Sequence, residues 1–166
     1  MIKNVNIGTS PTAVLQGGDI SADSVTHSLK FEVDSYITQT ITSSATSWTM
    51  AMWVKRSEIN VNQHLFGLFG NLYILAFAPN NSLFWSHQTN VHKNTTQKFT
   101  NTTDWMHICL KNAAGTVSLY VNGEQITDGQ WSTPPTGIGA AGIINIGRWN
   151  AGLYYFNGYM ADIHFV

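Results

Sequence analysis

The sequence predicts an all-β protein, folded as a two-sheet antiparallel sandwich of the jelly-roll type. Short segments of alternating apolar and polar residues recur about every 8–12 residues, which is typical of sandwiches and jelly rolls. Turn signals separate these segments, and the strongest is Asn122-Gly123 between two alternating runs. No segment has the apolar spacing of a long amphipathic helix. These observations favour a fold made almost wholly of strands.

Length and composition narrow the classes of function. The chain has 166 residues, which suits one domain, and only 10% of them are charged, against about 25% in an average soluble domain. The net charge of −1 gives no electrostatic case for binding nucleic acid. No apolar run approaches the ~20 residues that span a bilayer, so we expect no membrane insertion. The single cysteine, Cys109, allows no intramolecular disulfide.

The first 27 residues are less regular than the rest. We divide the chain into an N-terminal arm, residues 1–27, and a jelly-roll domain, residues 28–166. The segments 5–7 and 13–15 fit short strands, and Gly17-Gly18 then interrupts the pattern. Two interpretations stay open for the arm: a leading segment with one edge strand, or a tether to another protein.

Six strands are predicted in the first half of the domain. In 28–34, Leu29, Phe31 and Val33 share one face, with Lys30, Glu32 and Asp34 opposite. The segment 48–56 is apolar on both faces, which predicts a central strand. The predicted strands are 28–34, 36–41, 48–56, 64–69, 72–78 and 83–87.

The second half continues the same pattern. The polar segment 91–100 is predicted to be an edge strand or loop. Strands are expected at 105–111, 117–121, 124–127, 143–146 and 158–166, with a long loop at 128–142. In the closing strand, alternation predicts that Tyr159, Ala161, Ile163 and Phe165 seal the core.

Catalytic and metal chemistry find little support in the sequence. A glycoside hydrolase needs two carboxylates at a set separation, and only Glu32 and Asp34 lie close together, without a third partner. We therefore predict a protein that is not an enzyme. No acid-rich loop suggests a bound cation. We expect no cofactor. The alternatives are calcium at Asp34, Asp104 or Asp128, and zinc at His87 and His92.

Aromatic residues in loops and at strand ends are the best candidates for contact with a ligand. Flat aromatic faces can pack against the C–H faces of sugars, while the same residue types are also enriched at protein interfaces. Both uses, and a third in which the rings only cover the core, stay open. Trp48, Trp53 and Trp105 are expected in the core. The candidate binding residues are Trp85, Trp131, Arg148, Trp149, Tyr154 and Tyr155.

The order of several motifs resembles a known family. Four blocks carry the resemblance, together with the closing stretch 156–163: Ser28-Leu29-Lys30-Phe31, the strand 48–56, Asp104-Trp105-Met106-His107-Ile108, and Val117 to Gly123. They resemble the concanavalin A-like lectin/glucanase, or laminin-G-like, jelly roll over about residues 28–166. The resemblance implies a concanavalin A-like sandwich and loops that bind ligands.

A narrower resemblance suggests a biological setting. The ending Trp53 to Ser57 and the stretch from Ile146 to Val166 resemble jelly-roll domains in structural proteins of tailed phages, especially marine ones. This implies a non-enzymatic virion structural protein, displayed in many copies on the capsid or tail, with other virion proteins and host cell-surface glycans as partners. The alternative is a lectin-like, carbohydrate-binding module for host attachment. A glycan-cleaving enzyme is a third, less favoured interpretation.

Overall fold

The protein is a sandwich of two antiparallel sheets, as the sequence predicted. The structure, a computed structural model, describes residues 2–3, 6–7, 25, 27–41, 47–68, 73–87, 91–132, 142–149 and 153–166. Sheet I contains, in spatial order, β1 (Ile2–Lys3), β4 (Tyr36–Ile41), β13 (Gly142–Ile146), β6 (Gln63–Leu68), β7 (Tyr73–Phe77), β8 (Leu83–His87) and β9 (Val91–Asn94). Sheet II contains β12 (Glu124–Gln125), β11 (Thr116–Val121), β10 (Met106–Ala113), β5 (Trp48–Arg56), β14 (Gly158–Phe165), β3 (Leu29–Phe31) and β2 (Asn6–Ile7).

The core lies between the two sheets and is built from alternate residues of each strand. β5, at the centre of sheet II, supplies four of them, and all are at most 3% exposed: Trp48, Met50, Met52 and Val54. From sheet I, Leu75 and Phe66 face them, and the Trp48 ring lies 6.1 Å from the Phe66 ring. Burying a side chain of this size contributes about 1.5–3 kcal/mol, so the facing strands hold each other together.

Most predicted strands are present within one or two residues of their expected bounds. The strand 48–56 is central, and the segment 91–94 is the edge strand β9 of sheet I. Two local predictions were wrong. Strand β3 ends at Phe31, and Val33 lies in a turn with 74% of its surface exposed, because Asp34 takes a positive φ of 70° there. Trp105 is only partly buried, outside the core.

The closing strand β14 changes faces midway, which alternation in the sequence does not show. A β-bulge lies between Ala161 and His164, where Asp162 has a φ of 46°. Before the bulge, Met160 points into the core and is fully buried. After it, Phe165 packs on the core, with its ring 5.8 Å from that of Trp48. The prediction was therefore right for Ile163 and Phe165, and wrong for Tyr159, which is half-buried. Ala161 is buried, as predicted, at 5% exposed, although it lies outside the main core cluster.

Short strands near the N-terminus extend both sheets. β1 pairs with β4 at one edge of sheet I, and β2 pairs with β3 at one edge of sheet II. The predicted segment 13–15 lies outside the described residues, and the tether role of the arm stays a prediction. Where the structure is described, the helical element is a single 3-10 turn, Gly129–Ser132, and no helix there is long and apolar enough to cross a bilayer.

Replacement of Gly158 should destabilise the fold strongly. Its φ is 151°, and an added Cβ would collide with the backbone oxygen of Lys55 and the ring of Phe156. We expect Gly158→Ala to lower the free energy of unfolding by about 3 kcal/mol or more. Gly115→Ala is the matched control, because Gly115 also has a positive φ but nothing lies within 4 Å of its added Cβ. Its backbone strain alone costs about 1–2 kcal/mol. Equal losses in urea denaturation would contradict the collision.

Candidate functional site

A hairpin after β13 is fastened to the bulged strand β6. β6 carries one extra residue between His64 and Phe66, opposite β7. The hairpin folds back on itself through a bridge between Trp149 and Leu153. Four backbone hydrogen bonds hold it: Gly147 N to Leu65 O (3.1 Å), His64 N to Tyr154 O (2.9 Å), Trp149 N to Leu153 O (2.9 Å) and Phe156 N to Gly147 O (2.8 Å).

Four rings meet where this hairpin crosses the outer face of sheet I. We call His64, Phe84, Trp149 and Tyr154 the aromatic platform. The Tyr154 ring stacks on the His64 ring at 5.3 Å and on the Trp149 ring at 5.6 Å. Phe84 meets His64 edge-on at 6.4 Å. Tyr154 keeps 44% of its surface exposed, so the platform is open to solvent at this residue.

The histidine of the platform, His64, is held in its neutral form by burial. His64 is only 4% exposed, and burial lowers its pKa from 6.5 to about 4. Its Nδ1 is buried and has no hydrogen-bond partner. A neutral imidazole offers Nδ1 or Nε2 as an acceptor. The ring therefore acts as a flat base for Tyr154 at physiological pH.

Polar side chains lie on the other side of the hairpin. The guanidinium carbon of Arg148 lies 3.3 Å from the centroid of the Tyr36 ring. Tyr155 hydrogen bonds to Asp34 and to Arg148, and burial together with Asp34 raises the pKa of its hydroxyl. Arg148 Nε has no partner of its own. The hairpin thus joins an aromatic side to a side rich in hydrogen-bonding groups.

The outer face of sheet I beside the hairpin is mostly apolar. Ile74 and Phe84 are half-buried there, and Ile143 is 49% exposed. Asn145 shares this face, since its neighbours Ile144 and Ile146 point into the core. It is fully buried, and neither its Oδ1 nor its Nδ2 has a hydrogen-bond partner. Such an unpaired buried amide costs about 1–3 kcal/mol, which marks this face as unusual.

The structure brings together four of the six candidate binding residues and buries the other two in the core. Arg148, Trp149, Tyr154 and Tyr155 all belong to the hairpin. Trp85 is fully buried in the middle of β8, because its position opposite Leu75 points it into the core. Trp131 is 2% exposed and packs on the same core from the 3-10 turn. The prediction that these two tryptophans offer a contact surface was therefore wrong.

Sequence reasoning missed three residues of this region: His64, Phe84 and Asn145. Each was placed in a strand, but nothing in the sequence showed that the hairpin would cover two of them. His64 lies 85 positions before Trp149 in the chain. The bulge in β6 that sets its direction has only a weak signal in the sequence, Gly67 inside the strand. The one sequence signal for Asn145 is an amide side chain between two isoleucines of β13.

The acidic residues considered for catalysis or metal binding do not gather at one point. Glu32 is exposed and forms an ion pair with Lys30, while Asp34 contacts Tyr155. Asp104 accepts hydrogen bonds from Asn101 and Thr103. Among the residues the structure describes, no group of three or more His, Cys, Asp or Glu could hold a metal ion. The side chains of His87 and His92, the zinc alternative, lie outside that part. The expectation of no cofactor, with calcium as the alternative, stays a prediction.

The buried His64 should make stability depend on pH. Its folded pKa of about 4 lies below the value of about 6.5 in the unfolded chain, so only the unfolded state takes up a proton between these values. This stability is complete above pH 6.5 and falls by about 1.4 kcal/mol per pH unit below it.

Urea denaturation at pH 7 and pH 5 tests this. We expect His64→Phe to lose less stability between the two pH values than the unchanged protein does. His164→Phe is the control, since His164 is exposed. An NMR titration midpoint of His64 near 6.5 would contradict the prediction.

Comparisons with known proteins agree with this architecture. The sequence model of a laminin-G-like family, of the concanavalin A-like lectin/glucanase superfamily, matches residues 30–166. No curated protein matches the sequence. Domain 4 of AbnA, an extracellular GH43 arabinanase from Geobacillus stearothermophilus solved with arabinotriose, is 19% identical, with 90% of this chain and 76% of that one covered and a TM-score of 0.65.

Two further structures share the fold. A proposed carbohydrate binding protein from Bacteroides ovatus is 19% identical, with a TM-score of 0.63 over 83% of this chain and 42% of that one. Domains LG4-5 of the mouse laminin α1 chain are 11% identical, with a TM-score of 0.60 over 83% of this chain and 40% of that one. The chain therefore spans less than half of these two proteins. At such identities the likeness shows the fold alone, and it is the family match over 30–166 that shows membership: the chain belongs to the concanavalin A-like lectin/glucanase superfamily.

Proposed function

We propose that this protein is a non-catalytic carbohydrate-binding module that holds a neutral sugar ring against the aromatic platform. The observation that carries the proposal is the stack of Tyr154 on Trp149 and His64, with Tyr154 still 44% exposed. A flat ring that is rigid before the ligand arrives loses little conformational entropy on binding.

The chemistry of the platform suits a sugar. The C–H face of a pyranose or furanose packs on a flat aromatic ring, and polar groups beside it read the hydroxyls. Arg148 and Tyr155 lie on the other side of the same hairpin and contact Tyr36 and Asp34 there, so the sugar would be held mainly by the rings. Tyr154 has a positive φ of 55°, which is a strained conformation for a tyrosine. Strain of this kind persists where the surrounding structure fixes a side chain, often for function.

Two further points support the proposal. Membership of a lectin/glucanase superfamily agrees with a sugar ligand, as does the neighbour solved with arabinotriose. Hydrolysis would need a pair of carboxylates across the bound sugar. Of the described carboxylates, Asp34 contacts the hairpin, through its hydrogen bond with Tyr155. The virion role, its partners and its location on a phage particle stay predictions from the sequence.

Single substitutions in the platform test the proposal. Isothermal titration calorimetry would first screen neutral arabino-, xylo- and gluco-oligosaccharides for binding to the unchanged protein. We expect Tyr154→Ala and Trp149→Ala each to weaken the best ligand about tenfold or more, because an aromatic anchor contributes about 1.4 kcal/mol or more. Tyr154→Phe keeps the ring and should keep most of the affinity.

The control is Tyr120→Ala, which removes a half-buried tyrosine from sheet II. It should leave affinity unchanged, and thermal melts would check that each variant is folded. Unchanged affinity in both platform variants would contradict the site. If the unchanged protein binds none of the neutral oligosaccharides, the proposed function itself is wrong.

A further inference from the structure

A second feature of the structure is an arginine buried inside the sandwich. Arg56 ends β5 and is 1% exposed. Its guanidinium carbon lies 4.1 Å from the centroid of the Phe77 ring. Its hydrogen-bond acceptors are all neutral: Gln63 Oε1 at 3.0 Å, Asn81 Oδ1 at 3.2 Å and the Phe99 carbonyl oxygen at 2.6 Å.

The charge of this arginine is not neutralised by an ion pair. None of the described carboxylates pairs with Arg56, and its Nη2 has no hydrogen-bond partner. Burial lowers its pKa to about 10, so the group stays positive at neutral pH. The charge of Glu58 opposes this shift, although it forms no ion pair with Arg56. Taking a charge out of water is costly when its hydrogen-bond acceptors are neutral.

Arg56 forms part of the wall of an open cavity of about 390 Å³. This cavity, which we call the rim pocket, lies between the ends of β5 and β10 and the segment 97–101. Its volume is within the usual range for small-ligand sites. It shares no lining residue with the aromatic platform. Its chemically distinctive lining residues are Arg56, Lys98, Phe99, Asp104, Trp105 and Met106.

The rim pocket has one excess positive charge. Lys98 is exposed and can contact a ligand directly, whereas the buried Arg56 acts mainly through its field, which the low-dielectric interior transmits strongly. Asp104 already accepts hydrogen bonds from Asn101 at 2.7 Å and Thr103 at 3.1 Å. Among the lining residues, two positive charges and one negative charge favour an anionic group.

The rest of the wall offers surface for a ring. Trp105 and Met106 are half-buried, so part of each side chain faces the pocket. Relying on the proposed carbohydrate-binding function for the choice of a sugar, we propose that the rim pocket binds the carboxylate of a uronic acid residue. The carboxylate pairs with Lys98 in the field of Arg56, and the sugar ring packs on Trp105.

A pair of matched ligands tests this proposal. Calorimetry at low salt would compare a trigalacturonate with the same trimer methyl-esterified, which has no charge. We expect the acid to bind at least about tenfold more tightly, and the difference to shrink at high salt. Lys98→Glu should weaken binding of the acid about tenfold and leave binding of the ester unchanged. Lys111→Glu is the control, because it makes the same charge change at an exposed position outside the pocket.

Further variants separate the two sites. Arg56→Gln should also weaken binding of the acid. If Arg56→Gln does not fold, Trp105→Ala takes its place and should weaken binding of the acid too. Tyr154→Ala should leave binding of the acid unchanged while it weakens binding of neutral sugars about tenfold or more. The indole N–H signals of Trp105 and Trp149 in NMR spectra would report which site each ligand occupies.

Three results would overturn the rim pocket. One is equal affinity for acid and ester, and another is an equal effect of Lys98→Glu and Lys111→Glu. The third is loss of acid binding in Tyr154→Ala but not in Lys98→Glu, which would place the uronate on the platform and leave the proposed function standing. Binding of the acid by an unchanged protein that ignores every neutral sugar would instead support the pocket and contradict the platform.

Discussion

Burial of the two inner sheet faces against each other is the constraint from which the other features follow. Neither sheet can keep its inner residues from water alone, and β5 supplies the densest row of them, from Trp48 to Val54. Because this row must meet sheet I, every strand next to it is fixed in register. The closing strand β14 also packs against sheet I, and a bulge at Asp162 lets both Met160 and Phe165 point inward. A strict period of two would have left one of them outside.

The second bulge, in β6, has the opposite consequence. It places Leu65 and Phe66 in the core while His64 stays on the outer face, where the hairpin after β13 covers it. The packing of the core therefore produces a rigid base for Tyr154 as a by-product. A flat, neutral ring beneath an exposed tyrosine is the kind of surface that a sugar can use. The same strand also begins with Gln63, which holds the buried Arg56 from within the sandwich.

The two proposed sites use different physics. The aromatic platform relies on shape and apolar contact, and its histidine is neutral because burial lowers its pKa to about 4. The rim pocket relies on charge, because Arg56 stays protonated with neutral partners. A neutral sugar residue and a charged one would therefore bind at different sites. Weak binding at either site would gain strength if many copies were displayed together.

The amino-acid sequence by itself determined the fold class, the central position of 48–56, and most strand bounds, because alternation and turn residues are local signals. It also predicted that Arg148, Trp149, Tyr154 and Tyr155 belong to one loop region, because they are close in the chain. Tertiary structure alone decided which aromatic rings are exposed. In the sequence, Trp85 and Trp131 look no different from Trp149, yet both are buried in the core. His64, Asn145 and Arg56 became notable only through burial without a full set of partners, and burial depends on contacts between residues far apart in the sequence.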